Sequence, residues 1–180
     1  MFKLLPLFFL AAALLAPAPC RAEDLEKIYG EAVGAWLDGR PEDAIGSLKY
    51  VVFRSSDAGA TVPAIKDLCV LLAESGKYAE ALPYLDKAAI IAPEDPYIQF
   101  EKGWTLLSLE NHMDARTALE QTLTMTADAD LVNQTRFAIA LAEAHLGGPA
   151  AAIKHLEGVY QRYPYLLAPA AEMTSANFET

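Results

Sequence analysis

Hydrophobic and small residues recur along the chain in four similar segments. In each segment a turn-forming residue is followed five positions later by an alanine, and that alanine by a leucine after four more positions. The alanines are Ala44, Ala81, Ala115 and Ala152, which lie 37, 34 and 37 residues apart. Because residues four apart stack on one face of an α-helix, this pattern predicts a helix after each turn.

A second helix is predicted before each turn. Seven positions ahead of the turn residue stands a small side chain that allows two helices to approach closely, at Ala32, Cys69, Gly103 and Ala140. Two units close at Pro93 and Pro164, where a helix cannot continue. The chain is therefore expected to consist of helix-turn-helix units of about 34 residues. The three extra residues of each longer unit are expected in the connectors around residues 57–60 and 127–130.

The period, the turn glycine, the alanine and the closing proline together resemble the tetratricopeptide repeat. The resemblance covers about residues 25–164 and implies an all-α fold, a right-handed α-solenoid of about four helix-turn-helix repeats. Within a solenoid domain at 23–164, the repeats are expected at about residues 25–58, 62–95, 96–129 and 133–164. Residues 165–180 are expected to form a short C-terminal cap or tail. The third unit departs from the family pattern because Glu110 stands at the turn glycine.

Residues 1–22 have the pattern of a secretory signal peptide. Lys3 precedes an apolar stretch from Leu4 to Leu15, and the small residues Cys20 and Ala22 precede an abrupt change to charged residues. The apolar core has about twelve residues, fewer than the roughly 20 that a membrane-spanning helix needs. We expect cleavage after Ala22, with a retained membrane anchor or a lipid-modified Cys20 as alternatives. The chain is therefore expected to be exported. The resemblance to the repeat family favours the bacterial periplasm, because exported solenoids of this type are familiar there.

Composition narrows the function classes. The 180 residues include 14 Lys and Arg against 24 Asp and Glu, a net charge of −10. An acidic chain of this kind lacks the clustered basic surface that nucleic-acid binding requires. Two cysteines are too few for a disulfide framework or a zinc-ligand cluster, so no metal or cofactor is expected. Cys69 is expected to be a small buried core residue.

The sequence lacks the motifs of common enzyme classes. Gly76-Lys77 has no upstream glycine of a phosphate-binding loop, and neither Gly-x-Ser-x-Gly nor His-Glu-x-x-His occurs. His112, His145 and His155 are expected to be solvent-facing polar residues. The sequence therefore predicts a protein that is not an enzyme.

The family resemblance implies that the first helices of successive units line a concave groove where partners bind. Positions ten, six and three before each turn residue share one helical face. These positions are Tyr29, Val33 and Trp36, then Lys66, Val70 and Ala73, then Phe100, Trp104 and Leu107, then Phe137, Leu141 and Ala144, with Tyr97 one turn further. Both tryptophans of the chain belong to this stripe, and Lys66 is its one basic residue.

An apolar stripe of this kind favours an apolar peptide or an amphipathic helix as the partner. It does not look like the family's Lys/Arg/Asn-lined clamp for C-terminal carboxylates. The alternative interpretation is that Trp36 and Trp104 pack between neighbouring helices instead of binding a partner.

The sequence favours a non-catalytic protein-protein interaction module of the cell envelope. Two alternatives remain, a periplasmic assembly chaperone for an exported protein and a structural subunit of an envelope complex. Tyr165, Leu166 and Leu167 make a poor polar cap, so the C-terminal end is expected to be covered by a second copy of the chain, forming a homo-oligomer, or by a partner. Membrane contact is expected only if the N-terminal segment is retained.

Overall fold

The computed structural model describes residues 22–160 of the chain. Every regular element in this range is an α-helix, which confirms the predicted all-α fold. The helices are α1 (Ala22–Leu37), α2 (Pro41–Arg54), α3 (Ala58–Glu74), α4 (Tyr78–Ile91), α5 (Pro96–Ser108), α6 (His112–Met125), α7 (Ala129–His145) and α8 (Pro149–Tyr160). The predicted cap or tail at 165–180 lies outside the described residues, and so does the predicted signal peptide apart from Ala22.

The described helices pack in chain order and form a helical solenoid. Each helix contacts the next, so that α1 and α2, α3 and α4, α5 and α6, and α7 and α8 form successive hairpins. The first helices of the last two hairpins, α5 and α7, also contact each other. Among these helices, none is both long enough and apolar enough to cross a membrane.

The four hairpin turns share one backbone geometry. Gly39, Gly76 and Gly147 have φ values of 72°, 70° and 80°, and Glu110 has a φ of 61° at the equivalent position. In the third turn the Glu110 N–H donates to the Leu107 carbonyl and the Asn111 N–H donates to the Leu106 carbonyl. These two bonds satisfy carbonyl groups at the end of α5, as in a Schellman motif. The same pair of bonds closes the other three turns.

The three extra residues of the longer units lie in helices, so their expected place in the connectors is wrong. α3 and α7 each have 17 residues, whereas α5 has 13. The connectors before α3 and α7 are only residues 55–57 and 126–128. Asp57 and Asp128 accept hydrogen bonds from backbone N–H groups of the first turn, so each helix begins directly after its capping aspartate.

Small residues at the predicted positions bring the paired helices together. Ala81 and Ala115 are fully buried, and Cys69 is buried beside the Ala81 carbonyl, which confirms its expected place in the core. The approach is tightest at Gly103, where an added Cβ would lie 2.5 Å from Cγ of Leu119. Glycine at this position therefore sets how closely α5 and α6 pack.

Candidate functional site

The predicted stripe lies on the first helices of the hairpins, and its most exposed part is on α5 and α7. The large apolar side chains that remain exposed there are Tyr97 (50%), Trp104 (38%), Phe137 (45%) and Leu141 (37%). Because α5 and α7 are in contact, these side chains belong to one surface. We call the stripe residues of α5 and α7 the aromatic groove.

Two stripe residues of α5 anchor the aromatic groove to the core. Phe100 and Leu107 are half-buried and pack against the core cluster that contains Leu119 and Ile139. The Phe100 ring stacks on the Trp104 ring with centroids 6.3 Å apart and planes 24° apart. The exposed Trp104 is thereby held in place by a neighbour that is itself packed.

The stripe residues of α1 are more involved in packing than those of α5. Tyr29 and Trp36 are half-buried and pack against the core cluster of the first two hairpins. The Tyr29 hydroxyl donates to Oδ2 of Asp67 on α3 at 2.5 Å, and this hydrogen bond, with burial, raises the pKa of Tyr29 to about 12. Val33 and Val70 are half-buried as well. The packing interpretation therefore fits Trp36 better than Trp104.

Lys66, the one basic residue of the stripe, is engaged within the protein. Its Nζ atom lies 2.5 Å from Oδ2 of Asp95 and 5.6 Å from the centroid of the Tyr97 ring. Asp95 also caps α5 by accepting a hydrogen bond from the Tyr97 N–H. Lys66 therefore ties α3 to the start of α5.

Glu101 is a half-buried carboxylate beside the aromatic groove that the sequence reasoning missed. It lies on α5, four residues after Tyr97 and three before Trp104. Burial raises the pKa of Glu101, and the nearby charge of Lys66 opposes this shift. The signal in the sequence was this spacing, because residues three and four apart share a helix face.

Two histidines close a recess at the turn end of the aromatic groove. The rings of His112 and His145 stack with centroids 4.3 Å apart and planes 10° apart. With Trp104, Leu107, Ser108 and Leu141 they surround a cavity of about 200 Å³. The expectation of a solvent-facing side chain is wrong for His112, because its ring is half-buried and its Nδ1 has no hydrogen-bond partner among the described residues.

A second exposed apolar pair, not anticipated from the sequence, lies on the second helices. Phe53 on α2 and Ile90 on α4 are each 82% exposed. They are 37 residues apart, as are the repeat alanines of their units, so they occupy equivalent positions. This pair is separate from the aromatic groove.

Two other features bear on the chemistry of the described residues. A mostly apolar cavity of about 390 Å³ lies at the N-terminal end of the solenoid, between α1, the end of α2 and the start of α3. No group of three or more His, Cys, Asp or Glu side chains in residues 22–160 is arranged to hold a metal ion.

Residues 72–135 match the tetratricopeptide repeat family. This segment runs from the end of α3 into α7 and contains the second and third turns. No curated protein matches the chain in sequence.

Solved structures share the solenoid fold. A crystal structure of MamA is 19% identical, with 86% of this chain and 85% of that chain covered and a TM-score of 0.69. MamA from Desulfovibrio magneticus RS-1 is 16% identical, with 78% and 76% covered and a TM-score of 0.68. A chain of the CopN-Scc3 complex is 26% identical, with 71% and 69% covered and a TM-score of 0.55. The likeness to MamA confirms the predicted repeat fold.

Proposed function

We propose that this protein is a non-catalytic interaction module of the bacterial cell envelope that binds an apolar peptide or an amphipathic helix in the aromatic groove. The observation that carries the proposal is the exposure of Tyr97, Trp104, Phe137 and Leu141 on adjacent first helices. A cluster of large apolar side chains left in contact with water usually marks a binding surface.

The energetics of burial support a peptide or helix as the ligand. Removing an aromatic side chain from water is worth roughly 1.5–3 kcal/mol, and the stacked Phe100 and Trp104 rings present their surface with little loss of side-chain freedom. An amphipathic helix would place residues at i, i+3, i+4 and i+7 against this surface.

The comparisons support an interaction role. The tetratricopeptide repeat match covers the helices that carry Phe100 and Trp104, and one similar solved chain belongs to a complex that contains CopN and Scc3. The envelope location rests on the signal-peptide pattern of residues 1–22. The alternative is an assembly chaperone that holds an exported, aggregation-prone segment in the same groove. Such a chaperone would bind many apolar peptides instead of one cognate partner.

Crosslinking in the native cell envelope, followed by affinity purification and mass spectrometry, tests the groove. The Phe100→Ala/Trp104→Ala variant is compared with the wild-type chain. We expect the yield of the dominant crosslinked partner to fall about tenfold or more, because two aromatic contacts are lost. Circular dichroism establishes that the variant is folded.

The matched control is Phe53→Ala/Ile90→Ala, which also removes two large apolar side chains, but from the second helices. It should leave the yield of that partner unchanged. Equal yields from all three proteins would overturn the groove proposal. The second candidate function is that of a structural subunit held in a larger complex through the exposed Phe53 and Ile90. Loss of the partner in the control variant alone would favour this function.

A further inference from the structure

We infer that the aromatic groove accepts one cationic side chain of its partner, a lysine ammonium or an arginine guanidinium, between the Glu101 carboxylate and the rings of Phe100 and Trp104. This inference rests on the proposed function and specifies the chemistry of the partner. The occupant is then a basic amphipathic segment, not a purely apolar one.

The first support is where Glu101 lies. On α5 Glu101 is one turn from Tyr97 on one side and one turn from Trp104 on the other, so it shares the helix face of these exposed rings. Its nearness to Lys66 and Cys69 places it between α5 and α3. Glu101 is thus half-buried at the edge of the aromatic groove, on the side of Lys66 and Cys69.

The second support is that the Glu101 carboxylate has no hydrogen-bond donor among the described residues. No residue of the described range donates a hydrogen bond to its carboxylate, and Lys66, the nearby cation, is paired with Asp95. Burial raises the pKa of Glu101 in spite of Lys66, so the ionised form is poorly compensated. A cation from a partner would supply the missing charge-assisted hydrogen bond.

The third support is the charge balance between α3 and α5. Asp67 and Glu74 of α3, the Asp95 cap and Glu101 of α5 contribute four carboxylates, against the two ammonium groups of Lys66 and Lys102. Lys102 pairs with Asp86 of α4. The Tyr29 hydroxyl donates to Asp67 without changing its charge. The chain as a whole carries −10. A cationic partner is therefore attracted to this part of the groove and an anionic one is repelled.

The aromatic rings complete a cation site. The Trp104 ring is exposed and stacked on Phe100, and the face of a tryptophan ring attracts a cation within about 6 Å of its centroid. Within the protein, Lys66 already lies at 5.6 Å from the Tyr97 centroid. A second cation beside Trp104 would repeat this arrangement about two turns further along α5.

The experiment selects peptides from a phage-displayed library of random 16-residue sequences on the full chain. We expect the selected peptides to combine apolar residues at helical spacing with at least one Lys or Arg. In a selected peptide, replacement of that basic residue by Gln should weaken binding to the wild-type chain about tenfold, and replacement by Glu should weaken it further.

The protein variants assign the effect to Glu101. Glu101→Gln should bind the basic peptide and its Gln counterpart with equal affinity, because the carboxylate is gone. Glu157→Gln, which removes an exposed carboxylate from α8, should discriminate between the two peptides as the wild-type chain does. Circular dichroism checks the fold of both variants, and the Gln and Glu peptides test the cation site without any change to the protein.

The outcomes separate this inference from the proposed function. Two results would overturn the cation site and leave the groove intact. One is that the selected peptides contain no basic residue. The other is that Glu101→Gln still binds the basic peptide more tightly than its Gln counterpart. Peptides that bind Phe100→Ala/Trp104→Ala as well as they bind the wild-type chain would overturn the groove itself.

Discussion

Glu110 holds a left-handed backbone conformation at the position where the other three turns have glycine. In this conformation the Cβ atom lies too close to the following carbonyl oxygen, which costs an L-residue roughly 1–2 kcal/mol. The hydrogen bonds from Glu110 and Asn111 to the last carbonyls of α5 keep the turn in place despite this strain. The conformation of the third turn is thus set by the hydrogen bonds at the end of α5 and not by the backbone preference of Glu110.

Replacing this residue by glycine should stabilise the protein. For Glu110→Gly we expect the free energy of unfolding to increase by about 1 kcal/mol, since the strain is removed while glycine adds some freedom to the unfolded chain. Thermal unfolding followed by circular dichroism should show a Tm higher by roughly 2–5 °C. Glu110→Ala, which keeps the Cβ atom, is the control and should gain little. A lower Tm for Glu110→Gly would contradict this account of the turn.

Cys69 is a thiol whose surroundings suppress its reactivity. Burial, and to a lesser extent the negative charge of Glu101, raise its pKa to about 12. The nucleophilic thiolate is therefore scarce at pH 8, and the side chain is also inaccessible.

The prediction is that Cys69 reacts with Ellman's reagent only when the protein unfolds. In a Cys20→Ser variant, Cys69 is the one thiol of the chain. At pH 8 its reaction in the native protein should be at least about a hundredfold slower than in guanidinium chloride, because opening of the α3 and α4 contact must come first. Rapid reaction of the native protein would show that this contact opens easily.

At the scale of the helices, the distance between α5 and α6 depends on the glycine at position 103, which has no side chain. A Cβ at Gly103 would lie 2.5 Å from Cγ of Leu119 and 3.3 Å from the Ala115 carbonyl oxygen. The second of these neighbours is backbone and cannot rotate away. An added Cβ would therefore overpack this hairpin.

Gly103→Ala should destabilise the protein by about 1–3 kcal/mol through overpacking, measured as the free energy of unfolding in urea. Gly46→Ala is a matched control, because Gly46 is also inside a helix but has nothing within 4 Å of an added Cβ. There the same substitution should stabilise by up to about 1 kcal/mol through helix propensity. Equal changes in the two variants would rule out the close contact as the cause.

The aspartate caps also act at the scale of the helices. Because Asp57 and Asp128 satisfy the first N–H groups, α3 and α7 start earlier than the repeat period requires. The early residues Gly59, Ala60 and Pro63 of α3 line the N-terminal cavity beside α1. The extra residues at the start of α3, residues 58–60, are therefore exposed on the surface of this first helix.

At the scale of the whole molecule, side-chain contacts link each repeat to the next. Lys77 pairs with Glu42 at 2.6 Å, and Arg116 pairs with Glu143 at 3.1 Å. The Lys87 ammonium donates to the Val52 carbonyl at 2.9 Å. The Lys77–Glu42 pair is exposed and contributes little, on the order of 0–1 kcal/mol, whereas the Arg116–Glu143 pair is partly buried. The buried apolar contacts between hairpins hold the solenoid together.

Exposure of the predicted stripe changes along the solenoid. On α1, Tyr29 and Trp36 pack against the core, whereas Trp104 on α5 and Phe137 and Leu141 on α7 remain exposed. The predicted binding energy is therefore concentrated in the last two hairpins, where Phe100→Ala/Trp104→Ala is expected to act. The spacing rule treats all four units alike and could not show this difference.

Local order was predictable from the sequence because it depends on residues close together in the chain. The period of the alanines, the turn glycines and the small residues before them indicated four hairpins, and the helices of residues 22–160 follow that pattern. The stripe residues were also assigned from spacing alone. Glu101 falls outside the predicted stripe, although it lies between Tyr97 and Trp104 at helical spacing.

What the sequence by itself determined is the all-α repeat architecture, because each hairpin is encoded by contacts within about 34 residues. Only the tertiary structure decided which stripe residues stay exposed, that Glu101 is half-buried, and that the rings of His112 and His145 stack. These properties arise from contacts between hairpins, as in the approach of α3 to α5 around Glu101 and of α6 to α7 around the histidines. Burial depends on such distant neighbours, and helical spacing carries no information about them.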